Sequence, residues 1–294
     1  ADDPARAGLA DPSHGAESNP TGEPIGGGTG YARIVAREDA TVVVGTPDGL
    51  VEALAEAKPG AIIYVADDAE IDLTAQSNIS IPGGVTLASG RGRSGGEGGL
   101  LFTRTVKSAK LFRTGGAGVR LTGLRLEGSH PGRERLTQRP TLMGIHHPNV
   151  EVDNCEIFAW SCAALGVGSG ASEGAWIHHN YIHHNQRAGL GYGVSLGRAH
   201  VLIEGNLFDF CRHAIASSGV PRSGYTARYN VHLENTISHV FDMHGARDFE
   251  KYMQVGLWHL DDGKGARTRD YSIYNGNHAG TLHNMADTSW VPGH

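Results

Sequence analysis

Residues 237–245, ISHVFDMHG, place His239, Asp242 and His244 within six positions of one another and next to a glycine. Imidazole gains and loses a proton close to neutral pH, and a carboxylate beside it orients the ring. Such a set suits proton transfer, provided other segments bring partners to it. Two upstream stretches have the same shape. Aligning GYGVSLG, RHAIASSG and SHVFDMHG on their apolar centres, Val194, Ile215 and Phe241, puts Tyr192, His213 and His239 in one column. Neighbouring strands lie about 4.8 Å apart, so these side chains would be successive rungs. Asp242 and His244 face outward on a simple alternation. The same alternation sends His213 and His239 inward, unless a turn or bulge at the strand start turns them out. Arg212 and Arg187, at the preceding corners, would flank the patch with positive charge.

That alignment needs a fold that stacks distant segments in register, and a repeat supplies one. The stretches VRLTGLRLEG, VEVDNCEIF, AWIHHNYIHH, HVLIEGNLFDF and YTARYNVHL align on Leu124, Cys155, Asn180, Asn206 and Asn230, at spacings of 31, 25, 26 and 24 residues. Two positions beyond stand Leu126, Ile157, Ile182, Phe208 and His232. Short alternating runs at a period near two dozen residues, with an Asn recurring in the turn, are the pattern of a parallel β-helix. Stacked Asn side chains satisfy one another along such a ladder. YSIYNGNHAG extends the match near Gly276. An antiparallel sandwich would instead need hairpin turns every 8–12 residues. TPDGLVEALAEAKPG (46–60) reads as one amphipathic helix over about 47–58, with Thr46 as cap, Pro47 at its first position and Pro59-Gly60 as its stop. The expectation is an all-β, right-handed parallel β-helix with a short N-terminal capping helix, forming a single domain over 31–294. Residues 1–30, rich in Gly, Pro, Asp and Ser and nearly free of large apolar side chains, read as a flexible leader.

The bulk numbers narrow the function classes. The chain has 294 residues, enough for a substantial core, and 43 of them are glycine, which fits many turns. A net charge of −6 argues against a nucleic-acid coat or a partner of anionic membranes. No apolar run reaches the roughly 20 residues that span a bilayer. A chain starting at Ala points to processing and a secreted protein, here expected as a monomer. Three scattered cysteines, Cys155, Cys162 and Cys211, make no disulfide framework and read as free, with Cys155 standing in for an Asn of the ladder. In IHHNYIHHN (177–185) the histidines read as stacked surface residues, with metal binding as the alternative, since His-x-His on a strand points two imidazoles the same way.

Residues 26–90, from GGGTG through TPDGLVEALAEAKPGAIIYVADDAEIDL to ISIPGGVTLASG, resemble the opening of pectate-lyase-like right-handed β-helix proteins, in which a short helix caps the first coil. AWIHHN (175–180) is similar to the vWIDH stretch of pectate lyases, with His178 in place of their Asp. RHAIASSGVPRSGYTARYN (212–230) together with SHVFDMHG resembles secreted β-helix polysaccharide lyases acting on uronic-acid polymers. The latter stretch also resembles the DPHD site of mannuronan epimerases, with Asp242 and His244 in the matching places and Met243 and Gly245 departing. The resemblance spans about 26–285, and the acidic calcium cluster of true pectate lyases is missing from it.

The resemblance implies a lyase that cleaves a uronate polymer such as alginate, hyaluronan or glucuronan by β-elimination. That reaction needs a group to neutralise the carboxylate, a base for the C5 proton and an acid for the leaving oxygen. Arg212 suits the first task, His213 or His239 the second, and Tyr192 or His244 the third, with Asp242 orienting a histidine. Arg187, the loop arginines Arg133, Arg135 and Arg139, and Tyr225 are candidates for holding an anionic polysaccharide. No cofactor is required by this chemistry; a divalent metal, calcium or zinc, is the alternative. A C5-epimerase shares the first step, and a non-catalytic glycan-binding β-helix shares the fold. A hydrolase needs two carboxylates about 5–9.5 Å apart, and the neighbours of Asp242 on adjacent rungs are Ser195 and Ala216.

Overall fold

The computed structural model describes residues 19–168, 173–220 and 223–244, with short backbone segments at 267–268 and 280–281. Strands of two to five residues, broken by turns, build three sheets that run side by side through the first of two compact units, residues 1–244. Every strand pair in these sheets is parallel, and each strand pairs with its equivalent one coil on. This is a parallel β-helix. One coil shows the order: Glu151–Asp153 lies in the first sheet, Glu156–Phe158 in the second and Ala163–Val167 in the third. The chain then returns to the first sheet at Ala175–His178. The second unit, residues 245–294, holds an antiparallel pair, Arg267–Thr268 with Gly280–Thr281. The expected repeat at Gly276, and the continuation of coils to about residue 285, lie outside the described residues.

The helix forms where the capping signals put it, over Pro47–Glu56. Thr46 accepts a hydrogen bond from the Gly49 backbone N–H, and Leu50 and Leu54 turn inward to seal the first coil. Above them the interior is a stack of aliphatic rungs, such as Leu121, Val152, Ile177 and Ile203, all fully buried. Strands buried on their inner face and closed into coils expose few unpaired edges.

The Asn ladder lies at the corner between the first and second sheets. The Asn180 side chain accepts from the Cys155 N–H (2.9 Å) and donates to Val152 O (2.9 Å) and Asn206 Oδ1 (3.0 Å). Asn206 repeats the pattern one coil on with Asn230 and Ile177 O. Cys155 occupies the rung below; all three cysteines are free, and burial pushes the thiols of Cys155 and Cys211 up to about 12.

Residues 19–30 are not a loose leader. They form a strap along this corner: Gly26 N–H donates to Gly205 O (2.8 Å) and Gly28 N–H to Asn154 Oδ1 (2.7 Å). At Gly27, φ is +67° and a Cβ would come within 2.4 Å of His179 O, so only glycine lets the strap lie this close. Tyr31, buried, then donates to Asp153 Oδ2 (2.8 Å), and Arg33 pairs with Glu151 (2.6 Å). The composition of the segment is that of a strap held largely by its backbone, with Thr21 adding one side-chain contact. Residues 1–18 lie outside the described residues.

Candidate functional site

The outer face of the third sheet carries three columns of residues, set by the strand register. The first runs Lys110, Thr141, Ala163, Tyr192, His213, His239. The second runs Arg113, Gly144, Gly166, Ser195, Ala216, Asp242. The third follows the ladder bonds from Gly168 N–H to Ile145 O, Gly197 N–H to Val167 O, Ser218 N–H to Leu196 O and His244 N–H to Ser217 O; it contains Gly168, Gly197, Ser218 and His244. The middle of this face is therefore floored by glycine, alanine and serine. Its ends carry the larger polar groups, Lys110 and Arg113 at one and the His–Asp cluster at the other.

His213 and His239 lie on this outer face because of an irregularity at the strand start. Pairing between adjacent strands skips Ala164, Gly193 and Ala214. These positions point inward: Ala164 and Ala214 are fully buried, and a Cβ on Gly193 would sit 3.0 Å from the Phe208 ring. The residue before the skip is thereby turned outward. The break recurs in step from strand to strand, with no residue inserted, so it is a turn of the chain at the strand start and not a bulge, and it brings the column onto the side of Asp242.

Tyr192 and His213 have ring centroids 5.4 Å apart, His213 and His239 5.0 Å, and His213 and His244 6.2 Å. Asp242 Oδ2 lies 3.0 Å from His213 Nδ1 and 3.1 Å from His244 Nε2. The approach to His213 is off the line an N–H would need, so it is a close polar contact and neither nitrogen of this buried ring has an aligned hydrogen-bond partner. His213 is 1 % exposed. Burial, with the nearby Arg212 charge, takes its imidazole down to about 4, against the pull of Asp242, so it is neutral at pH 7. His239 and His244 are exposed, Tyr192 half-buried. His239 Nδ1 meets Ser238 Oγ at 3.1 Å.

Arg212, half-buried, is fixed by its backbone N–H, which donates to both Asn185 O and Gly191 O (3.0 Å each). Arg187 is buried; it donates from Nη1 to Gln138 O (3.1 Å), its Nε–H has no partner, and no carboxylate pairs with it among the described residues. Loss of solvent, with Arg139 and Arg135 nearby, lowers its pKa from the ordinary value. The loop 127–140 is tied to this corner: Ala188 N–H donates to Arg133 O (3.0 Å), Arg133 Nε to Gln186 Oε1 (3.2 Å) and Gln186 Nε2 to Pro131 O (2.6 Å). Arg133, Arg135 and Arg139 themselves are exposed on it. Tyr225 departs from expectation. It pairs with Val201 in the first sheet, packs against the core and stacks on Phe241 (6.3 Å), so it supports the coil and does not line the outer face. Burial, then the Asp242 charge, raises its phenol.

Among the described residues, two groups have donor atoms close enough to share a metal ion: His213, His239 and Asp242, and Glu151, Asp153 and His178. The second is already neutralised. Arg33 holds Glu151 at 2.6 Å, Arg120 holds Asp153 at 2.7 Å, and Tyr31 and Thr122 donate to the same Asp153. The histidines of IHHNYIHHN are not a simple surface ladder but hydrogen-bonded relays. His178 joins Glu151 (3.0 Å) to His179 (2.8 Å, Nδ1 to Nδ1), and His183 joins Glu156 (3.1 Å) to His184 (2.7 Å) in the same way. His179 reaches Thr21 of the strap at 3.0 Å.

Sequence reasoning missed Lys110, Arg113 and the glycines of the floor. Lys110 and Arg113 flank Phe112 in a strand with no histidine or carboxylate to draw notice, and only the register with Thr141 and Gly144 brings them into the columns. Lys110 Nζ lies 2.9 Å from His146 Nε2, and its side chain folds over Gly144, where a Cβ would be 2.5 Å from Lys110 Cδ.

No family model matches the chain, and no curated protein matches it. Among solved structures, an alginate lyase from Paenibacillus sp. str. FPU-7 aligns with 14 % identity over 70 % of this chain and 99 % of that one, at a TM-score of 0.23. A likeness that slight carries no argument about activity, which rests on the site itself.

Proposed function

We propose that the protein is a polysaccharide lyase that cleaves a uronic-acid polymer by β-elimination, acting outside the cell. One observation carries the reading: a shallow floor of small residues runs along the third sheet into a cluster holding a phenol, imidazoles and a carboxylate, with two arginines at its edge. An extended sugar chain lies flat only where side chains are short, and Gly166, Ser195, Gly197 and Ala216 leave that space.

Arg212 meets the uronate carboxylate, with the buried Arg187 adding positive charge nearby, so that charge developing at C5 is spread onto a neutralised acid. His239, exposed beside the floor, takes the C5 proton. The electron pair of that C–H bond becomes the C4=C5 double bond, and the C4–O bond breaks. Tyr192, one rung on the other side of His213, gives its phenolic proton to the departing oxygen. His213 lies between the two, buried and neutral, and holds their spacing; Asp242 orients His244. Absence of a second carboxylate on this face among the described residues disfavours hydrolysis, which needs an acid–base pair.

The test is a panel of uronate polymers: alginate, glucuronan, pectate and hyaluronan. Ultraviolet absorbance from the new double bond, with shortening of the chain, supports the reading. Exchange of the C5 hydrogen with solvent, without shortening, would assign an epimerase instead, and binding without either would assign a glycan-binding module.

A further inference from the structure

We propose that His213, His239, Asp242 and His244 form a binding site for a divalent transition-metal ion of the zinc class. The site is the one given to elimination above, and only the activity readout below rests on that reading.

Three features point to an ion. First, the donors converge instead of pairing. Asp242 Oδ2 is 3.0 Å from His213 Nδ1 and 3.1 Å from His244 Nε2, with the His213 contact off the hydrogen-bond line. Donor atoms around a tetrahedral zinc with bonds of about 2.0–2.1 Å lie about 3.3 Å apart, so both Asp242 contacts are within a few tenths of an ångström of that spacing. The donors of His213, Asp242 and the exposed His239 all lie within 4.8 Å of one another. Second, His213 is buried with both nitrogens lacking an aligned partner, an unusual state for a polar ring. Third, no Arg or Lys contacts Asp242 among the described residues; its contacts are imidazoles. The Glu151–Asp153–His178 group is the contrast, since guanidinium groups already hold its carboxylates. Three imidazoles and one carboxylate suit zinc, nickel or copper; calcium prefers six to eight oxygens.

Bound metal takes the lone pair that His239 needs as a base, so metal and proton abstraction compete. The experiment is calorimetric titration of chelator-treated protein with zinc chloride and, separately, calcium chloride. One equivalent of zinc bound in the micromolar range or tighter, with no calcium heat, supports the site. Asp242→Ala and His239→Ala should each weaken zinc at least tenfold, while His200→Ala, an exposed histidine of the first sheet, leaves it unchanged. His239→Ala changes an exposed side chain and keeps the test valid where Asp242→Ala fails to fold. Absence of zinc heat, or equal affinity in the wild type and both variants, overturns the proposal. Turnover of the responding polymer is then followed with and without zinc. Suppression by zinc agrees with both readings. Stimulation upholds the metal site and removes His239 as the base. Zinc binding with no turnover of any polymer upholds the metal site and rejects the lyase.

Discussion

Replacing Asn180 by alanine tests the ladder that keeps the coils, and with them the site columns, in register. Asn180 gives the Cys155 N–H its acceptor at 2.9 Å and donates to Val152 O and Asn206 Oδ1. The Asn180 backbone N–H still reaches Asn206 Oδ1 in the alanine variant, so that oxygen remains satisfied. The Cys155 N–H does not, and it is sealed from water. A buried donor left without a partner costs about 1–3 kcal/mol, and each of the two lost side-chain bonds adds about 0.5–1.5 kcal/mol. Relief from desolvating the amide offsets part of this, leaving a loss of about 3 kcal/mol. For a unit of this size that lowers Tm by about 6–12 °C. Asn230→Ala is the internal comparison: it makes equivalent bonds to Asn206 and Ile203 O, but it is partly exposed and water replaces what is lost. Its expected cost is below about 1 kcal/mol. Thermal melts followed by circular dichroism compare the two. A drop under about 2 °C for Asn180→Ala, or equal drops for both, refutes the account in which the ladder's buried donors depend on Asn side chains.

Other perturbations follow from the same contacts. His239→Ala and Tyr192→Phe, assayed on the polymer that responds, should each lower kcat by about 10²–10⁴-fold, the range lost with a proton-transferring group. Arg212→Lys should weaken turnover at least tenfold, because an ammonium cannot make the two-pronged contact with a carboxylate. Gly193→Val drives a side chain into the Phe208 ring and should cost about 1–3 kcal/mol in a denaturant melt. Stability should fall with acid in two stages, read as Tm against pH. Burial, with the His178 charge, takes His179 down to about 4, so stability is full above about 6.5 and falls as pH drops from there to 4. Burial works against ionisation of Glu151 and Glu156, but the His178 bond with the Arg120 and Arg33 charges takes Glu151 to about 2, and the His183 and Arg125 bonds take Glu156 to about 2. Their contribution is present above about 4.5 and is lost towards pH 2. Glu151→Gln should shrink the second stage.

Registers of stacked strands are readable from sequence because each coil repeats one apolar spacing, so aligning Val152, Ile177 and Ile203 fixes the neighbours of every residue near them. The alignments of Tyr192 with His213 and of His213 with His239 follow from that spacing alone. Direction is harder, because a single skipped pairing reverses it. The skip at Gly193 leaves a faint mark, a glycine facing the Phe208 ring, and nothing in RHAIASSG distinguishes Ala214 from the alanines around it. Tyr225 misleads for a related reason: an aromatic hydroxyl near the site residues in sequence suggests a ligand contact, whereas its strand belongs to another sheet and its ring serves the core. The strap is the opposite case. Its residues look unstructured because they lack apolar side chains, but backbone N–H groups and glycines are what a segment needs to lie flat on a ladder of side-chain amides and carbonyls. Composition reports whether a segment can make a core of its own; it does not report whether another core supplies acceptors for its backbone. The same distinction governs the site. His, Asp and Arg are visible in the sequence because they carry chemistry, while Gly166, Gly197 and Ala216 matter for the space they leave open, and only stacked coordinates turn that missing bulk into a surface on which a polymer can lie.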